Sequence, residues 1–336
     1  MTARAFIGLV VLAAGAALVC GGCGRGKTEP QAAGGKKRQV FKAPPGAQLK
    51  LAFVTNNASE FWKIAAAGVR KYEKEGNVRV DLRMPSGGTV AEQTQIVDDL
   101  VSQGYHGIAI SVIAPKDEVN LINRAARKTN VITHDSDAPE SNRLVYIGTN
   151  NYEAGKVLGR EIAKLMPEGG KMGVFVGTLS ADNARQRFEG IRDAIKGTKI
   201  EIIEPRLDET DRNKARTNVE SVINAYPDVK LLCGLWSYNG PAIAAAIEAS
   251  GKKGKILAAV FDEEDLTLKA IEEGVVQVTV VQKPFEFGYR SAKLLHQLAL
   301  HGEAALPASE FDDTGVEVIT AANVAEFKAR LAELKK

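Results

Sequence analysis

Two carboxylates, Asp135 and Asp137, follow directly on the apolar residues of "NVITHDSDAP", so acid stands where a buried strand should stop. Four readings compete there: an enzyme's acid and base, a metal site, acceptors for the hydroxyls of a neutral polyol, or a turn, for which Asp and Pro are favoured residues. Polar and aromatic residues recur after other apolar runs, in "VTNNASEFW", "GTLSADNARQR", "GLWSYNG", "VFDEED" and "VVQKPFEFG". Together these stretches form an inventory that each chemistry can be tested against.

Catalysis finds little support in that inventory. No GxGxxG or GxxxxGK[ST] follows a strand, and GxSxG and HExxH are absent. The four histidines are His106, His134, His296 and His301, and only His134 adjoins an acid, Asp135. Neighbours on a strand point to opposite faces, which places that pair poorly for a base and its orienter. The sequence reads as a non-enzyme with no cofactor. For a metal, Asp135 and Asp137 share one parity, and Asp262, Glu263, Glu264 and Asp265 form a second acidic group. The calcium-loop spacing is missing, no His/Cys cluster exists, and "DEED" precedes a helix whose N-terminal dipole favours negative charge. No metal is expected.

A neutral polyol accounts for more. Its hydroxyls both donate and accept, which suits Asp as acceptor, Arg as fixed donor, and Asn or Gln as both. A sugar ring also carries an apolar face that packs on aromatics. Asn57, Phe61, Trp62, Asp135, Arg187, Trp236, Asn239, Asp262 and Gln282 supply these roles. For one of Phe61 and Trp62 the competing role is to staple the first helix to the core.

The elements that must position these residues alternate with little ambiguity from Leu49 onward. "LKLAFVT" reads as a strand and "EFWKIAAAGVRKYEKEG" as a helix. Strands "NVRVDLRMP", "HGIAISVI", "NVITHD" and "LVYIGTN" continue the series with helices between them. From Asn151 the alternation restarts with "NYEAGKVLGREIAKLMPEG", and runs through "GKMGVFVGT", "KIEIIEPRLD", "VKLLCGLW" and "KILAAVFD" to "VVQVTVVQ". Such alternation implies α/β architecture, with two doubly wound parallel-sheet lobes covered on both faces. In open α/β sheets ligands sit outside the carboxyl ends of the strands, which is where the polar inventory falls. A long helix from Pro284, a short strand "GVEVIT" and a final helix toward Lys336 follow. Crossings between lobes are expected near Thr149 to Asn151, Gln282 to Pro284 and Asp312 to Gly315, giving a three-segment hinge. The boundaries are then 48–150 plus 283–312 for the N-terminal lobe, and 151–282 plus 313–336 for the C-terminal lobe and tail.

The 336 residues, 45% hydrophobic and 25% charged, suffice for about two domains, and a formal charge of +3 with no basic stripe argues against nucleic acid. The N-terminus "MTARAFIGLVVLAAGAALVCGGCG" has an early Arg4, a short apolar run and then small residues, the layout of a secretory signal peptide over 1–23. Residues 24–47, rich in Gly, Lys, Pro and Ala, read as a flexible linker. With the leader removed, Cys233 is the one cysteine of the folded part and is expected to be a buried small hydrophobe.

In this order the motifs resemble the ribose-type periplasmic binding proteins of ABC sugar importers, the type I fold also found in LacI-type repressors. The resemblance covers Leu49 to about Thr320. "VTNNASEFW" is similar to the loop that supplies an Asn and stacking aromatics, "VITHDSDAP" to the segment with a sugar-binding Asp, here Asp135, and "YIGTNNYEAGKVLG" to the first crossing between lobes. "NARQRFEGI" matches A-R-x-R-x-x-G, whose second Arg is Arg187, while "VFDEED" and "VVQKPFEFG" supply Asp262 and Gln282. Ser136 and Ala114 stand where the ribose pattern has Arg and Asn, and "GLWSYNG" replaces its Asn-Asp region, which argues against ribose itself. Gly22-Cys23 resembles a bacterial lipobox, with Cys20 where Leu is usual, and marks Cys23 for lipidation. The resemblance implies a periplasmic or extracytoplasmic lipoprotein held to the membrane by its anchor. It implies a monomer that takes a pentose- or hexose-like sugar in a closing cleft and delivers it to an ABC permease. On this reading Asp135 accepts from a hydroxyl, and Asp137 serves the turn or an interlobe contact. The alternative is a sensing domain that presents the sugar to a chemoreceptor or sensor kinase. A repressor fits poorly, because a leader occupies the place of a helix-turn-helix.

Overall fold

The computed structural model describes residues 38–58 and 60–334. The expected signal peptide, lipobox and Cys23 lie outside the described residues. Strands β1 (Leu51–Val54), β2 (Val80–Arg83), β3 (Gly107–Ile110), β4 (Asn130–His134) and β5 (Tyr146–Gly148) alternate with helices α1 (Glu60–Gly76), α2 (Val90–Ser102) and α3 (Val119–Ala125). The second series comprises α4 (Asn151–Leu165), β6 (Gly170–Val176), α5 (Asp182–Ala194), β7 (Ile200–Ile202), β8 (Arg206–Leu207), α6 (Arg212–Ala225) and β9 (Val229–Gly234). It continues through α7 (Asn239–Ala249), β10 (Leu257–Phe261), α8 (Asp265–Glu272) and β11 (Val278–Val281). The chain ends with α9 (Pro284–His301), β12 (Phe311–Asp313), β13 (Glu317–Thr320) and α10 (Val324–Leu334).

These strands form two sheets, ordered β12-β5-β4-β3-β1-β2 and β13-β11-β10-β9-β6-β7, with β8 also beside β6. All pairings are parallel except β13 against β11. The architecture is two doubly wound α/β lobes. Because each sheet is covered on both faces, its strands are apolar throughout rather than alternating with polar residues. In β1, Leu51 and Phe53 pack with Leu295 of α9, whereas Ala52 and Val54 face the opposite way with Val97 and Leu121. Phe175 of β6 likewise separates from Val174 and Val176 into a different apolar cluster.

The chain passes between the sheets at three places: from β5 into α4, from β11 into α9, and from β12 into β13. Two of these segments are laced together. Thr314 donates to the Gly148 carbonyl from its backbone N at 2.9 Å and from Oγ1 at 3.1 Å, and the Asn150 N donates to Asp313 Oδ1 at 3.1 Å.

Several elements differ from the sequence reading for identifiable reasons. "KIEIIEPRLD" is two short strands rather than one, because Pro205 has no N–H for the ladder and separates β7 from β8. Part of the expected flexible linker is pinned. Phe41 exchanges two hydrogen bonds with the Asn130 side chain, at 2.8 and 2.7 Å, and the Ala43 N donates to the Ala299 carbonyl at 2.8 Å. The interlobe role allowed for Asp137 is not observed. Its carboxylate takes Arg143 Nε and Nη2 at 2.6 and 2.7 Å and the Ala138 N at 2.8 Å, all within the turn before β5.

Candidate ligand-binding site

Asp135 is the first residue after β4, and the chain leaves the strand there with φ at 57°. Asp tolerates this left-handed conformation better than most residues. The Asp135 N donates to the Ile147 carbonyl at 3.2 Å, Tyr146 Oη donates to its carbonyl at 2.8 Å, and Ser111 Oγ donates to Oδ2 at 2.9 Å. Burial pushes the Asp135 carboxyl up to about 6, against the pull of Ser111 and Arg187, and the charge of Asp262 adds to the rise.

Asp262 holds the matching place after β10, with φ at 68°. Its N donates to the Val280 carbonyl at 2.9 Å, and the Asp262 carbonyl accepts from Thr279 Oγ1 at 2.7 Å. Gln282 Nε2 donates to Asp262 Oδ1 at 3.0 Å, and Arg187 Nη1 lies 3.6 Å from Oδ2. Burial raises the Asp262 pKa, while the Arg187 charge and the Gln282 hydrogen bond oppose the rise.

Arg187 projects from α5 and is 2% exposed. It reaches the site because α4 and α5 cross at contact distance. A Cβ on Gly155 would stand 2.2 Å from the Arg187 carbonyl oxygen, and one on Gly190 would stand 2.1 Å from that of Tyr152. The guanidinium lies 4.3 Å from the Phe261 ring centroid, donates from Nε to Asn151 Oδ1 at 2.9 Å, and donates from Nη1 to the Leu235 carbonyl at 2.8 Å. A buried cation is thus satisfied by a π face, an amide oxygen, a carbonyl and a carboxylate, as its charge requires.

The other residues singled out from sequence are distributed differently. Phe61 is half-buried, edge-on to Trp62 at 5.0 Å and 6.2 Å from Phe287. Trp62 is 1% exposed, edge-on to Phe53 and His134, and donates Nε1 to Asn56 Oδ1 at 3.2 Å. Of the two aromatics, Trp62 is the core staple. Asn57 is exposed and bonded to Asn56 at 2.8 Å. Asn239 is 1% exposed, and both ends of its amide are used: Oδ1 accepts from the Trp236 N at 3.0 Å, and Nδ2 donates to Asp208 Oδ2 at 3.2 Å. It anchors the β9 loop, from which the half-buried Trp236 donates Nε1 to Asn183 Oδ1 at 3.3 Å.

His134 turns away from Asp135. It stacks on Phe53 at 4.0 Å with Nε2 3.2 Å from the Val54 carbonyl, and burial lowers its pKa to about 3, so the imidazole is neutral. The acidic run after β10 disperses, with Asp262 turned toward Arg187, Glu264 paired with Arg212 at 3.1 Å, and Asp265 opening α8. Among the described residues no three His, Cys, Asp or Glu side chains are grouped to hold a metal ion. Cys233 is buried, which pushes its thiol up to about 12.

Ser111, Tyr146 and Asn151 belong to this cluster and were not singled out from sequence. The signal for Asn151 was the pair "NN" at a helix start. One Asn suffices as the cap, and Asn150 fills that role by accepting from the Glu153 N at 3.1 Å. The second is then free to turn inward.

Carbonyl, carboxylate, amide and guanidinium groups thus converge at the carboxyl ends of two sheets, the arrangement of a two-lobed solute-binding protein. The chain belongs to the periplasmic binding protein family, whose domain model matches residues 51–304. The family consists of solute-binding proteins rather than enzymes. A xylose/arabinose-binding protein of Sulfolobus acidocaldarius is 26% identical over 72% of this chain, which spans 64% of that protein's length. The D-allose-binding periplasmic protein of Escherichia coli is 26% identical over 71% of this chain and 80% of its own. An ABC transporter solute-binding protein of Burkholderia graminis, solved with D-arabinose, superimposes with a TM-score of 0.77 at 30% identity. That match covers 83% of this chain and 98% of the other. Among the described residues no helix is long and apolar enough to cross a membrane.

Proposed function

We propose that this protein captures a small pentose- or hexose-like sugar between its two lobes and delivers it to an ABC permease, without altering it chemically. The observation that carries the reading is one buried arginine, Arg187, set 3.6 Å from Asp262, with Asp135 at the matching strand end of the other sheet. Arg offers only donors and ionised Asp only acceptors, so the set suits a ring of hydroxyls that do both. The sugars named for the relatives support the class. Asp135, Arg187, Asp262 and Gln282 would hold hydroxyls, Phe61 and Trp236 would cover the apolar face of the ring, and Asn57 would close the rim. Trp62 and Asn239 would hold those groups in place.

Closure follows from the size of the ligand. Micromolar affinity requires about 8.2 kcal/mol, or roughly 0.7 kcal/mol for each of a hexose's dozen or so heavy atoms, which is demanding for a polar molecule. A groove on one lobe alone would leave many hydroxyls solvated. The lobes 48–150 plus 283–312 and 151–282 plus 313–336 would hinge on the three crossing segments to exclude water. The protein would act as a monomer, tethered outside the cytoplasm through a lipid on Cys23. Cys23→Ser should leave the mature N-terminus unlipidated and shift the protein out of the membrane fraction.

The deciding experiment is a thermal-shift screen of D-arabinose, D-xylose, D-allose, D-ribose, deoxy sugars and nucleosides, followed by calorimetry. A ligand at ~100 Kd contributes about 2.7 kcal/mol of stability. Stabilisation by at least one sugar is expected, and no shift with any sugar would overturn the reading.

A further inference from the structure

A chain of close polar contacts runs from the Asp135 corner to Arg187 through the first crossing segment. Tyr146 Oη donates to the Asp135 carbonyl at 2.8 Å and lies 3.5 Å from the Thr149 carbonyl. Asn151 Nδ2 donates to that same Thr149 carbonyl at 3.2 Å, and Asn151 Oδ1 accepts from Arg187 Nε at 2.9 Å. Thr149, Asn151 and Arg187 are all buried. The Tyr146 ring folds back over Gly148, where any Cβ would stand 2.2 Å from Oη, so glycine is required for the path to close.

The residue type at 151 is narrowly fixed. The position needs an acceptor toward Arg187 Nε, which can only donate, and a donor toward the Thr149 carbonyl, which can only accept. An asparagine amide presents one of each at that reach. An aspartate would keep the acceptor and set a second oxygen against the carbonyl.

We propose that Asn151 is a positioning residue coupling the hinge to the ligand clamp: the direction of the Thr149 carbonyl, set by the hinge backbone, fixes the Asn151 amide and thereby the Arg187 guanidinium. Rotation of the crossing segment turns the Thr149 carbonyl away, so Arg187 is fully braced only in the arrangement that sets it near Asp135. Closing the lobes and ordering the clamp are then one event. A protein whose binding-competent arrangement is less populated binds with its affinity reduced by that fraction. This inference rests on the sugar-binding reading above.

The test compares Asn151→Ala, Asn151→Asp and Tyr146→Phe with the parent, using calorimetry with D-arabinose, D-ribose, D-allose and D-xylose, and small-angle scattering without sugar. Both substitutions at Asn151 are expected to weaken binding about tenfold, equivalent to about 1.4 kcal/mol, and to enlarge the sugar-free radius of gyration. Tyr146→Phe removes a single hydroxyl and should shift both in the same direction by less. If Asn151 only holds Arg187, the aspartate, which keeps that contact, restores parental affinity and radius, and the coupling is overturned. Unchanged affinity and radius in Asn151→Ala would overturn it equally. If one Asn151 variant does not fold, the other and Tyr146→Phe still decide. If the parent binds none of the four sugars, the sugar reading fails by itself, and the sugar-free scattering of the variants still tests the coupling.

Discussion

At Asp135 and again at Asp262 a parallel strand ends, the chain turns through a positive φ, the aspartate N donates to the neighbouring strand, and a hydroxyl from that strand holds the aspartate's carbonyl. The hydroxyl bearers are in matching register, Tyr146 opposite Thr133 and Thr279 opposite Val260, each two residues before its aspartate. The corners differ in what meets the carboxylate. Asp262 has a cation at 3.6 Å and an amide, whereas Asp135 has one serine hydroxyl and feels Arg187 only at longer range. One backbone device, used twice, thus presents a paired acid and an unpaired one. The paired acid holds Arg187 in place, and the unpaired acid keeps acceptor capacity for a ligand.

Removing Arg187 should break this comparison most severely. Arg187→Ala leaves Asp262 buried without its cation, and loss of one partner of a buried pair costs about 3–5 kcal/mol, to be read from urea denaturation. A loss below 1 kcal/mol would show that the pair contributes little. Next come the carboxylates themselves. Asp262→Ala and Asp135→Ala should each weaken sugar binding by about 2–5 kcal/mol, measured by calorimetry, because buried partners are left unpaired. The neutral replacements should differ in the size of their effect on the sugar-free protein. Burial raises both pKa values, but at Asp262 the Arg187 charge and the Gln282 hydrogen bond offset part of that cost, so Asp262→Asn should change stability less. Asp135→Asn removes an acid whose ionisation burial opposes, and should stabilise at pH 7.5 by on the order of 1–2 kcal/mol.

The pH dependence sharpens the same contrast. The Asp135 pKa in the fold, about 6, exceeds the ordinary 3.8, so its contribution to sugar-free stability is fully present below pH 3.8 and lost as pH rises through 6. A hydroxyl donated by a sugar favours the ionised form, so affinity should rise as pH increases from 5 to 7 and binding near pH 6 should release protons. Calorimetry in buffers of different ionisation enthalpy measures that release, and Asp135→Asn should abolish it. The smallest effect is expected at Thr279→Val, which frees the Asp262 carbonyl and should cost about 0.5–1.5 kcal/mol of stability.

Both aspartates were legible in the sequence because a strand's end is marked by composition: apolar residues stop and an acid begins. Their shared φ was not, since Asp tolerates several backbone regions and only the register with β5 and β11 fixes one. Trp62 and Phe61 illustrate a second limit. Adjacent helical residues point about 100° apart, and only the placement of α1 against Phe53 and His134 decides which turns inward. Asn239 and Asn57 were chosen for chemistry that suits a sugar, and the same chemistry lets them bond to Asp208 and Asn56, partners that no local pattern announces. The β12 strand went unread because "FDD" has one apolar residue and its partner, β5, lies far back in the chain. Asn151 was hidden for the same reason, since its partner on α5 is brought near only by the glycine-lined crossing of α4 and α5.

The late strands β12 and β13 also bear on how such a chain acquires its fold. The first sheet receives its edge strand from Phe311–Asp313, beside Tyr146, and the second receives its own from Glu317–Thr320, beside Val278–Val281. A ribosome releases the chain from its N-terminus, so neither lobe can be completed until residues as late as Asp313 and Thr320 have emerged. The pairing of Phe311–Asp313 with Tyr146–Gly148, so distant in sequence, forms slowly. Until then the nascent chain remains incompletely folded, open to any machinery that must handle it as an extended thread.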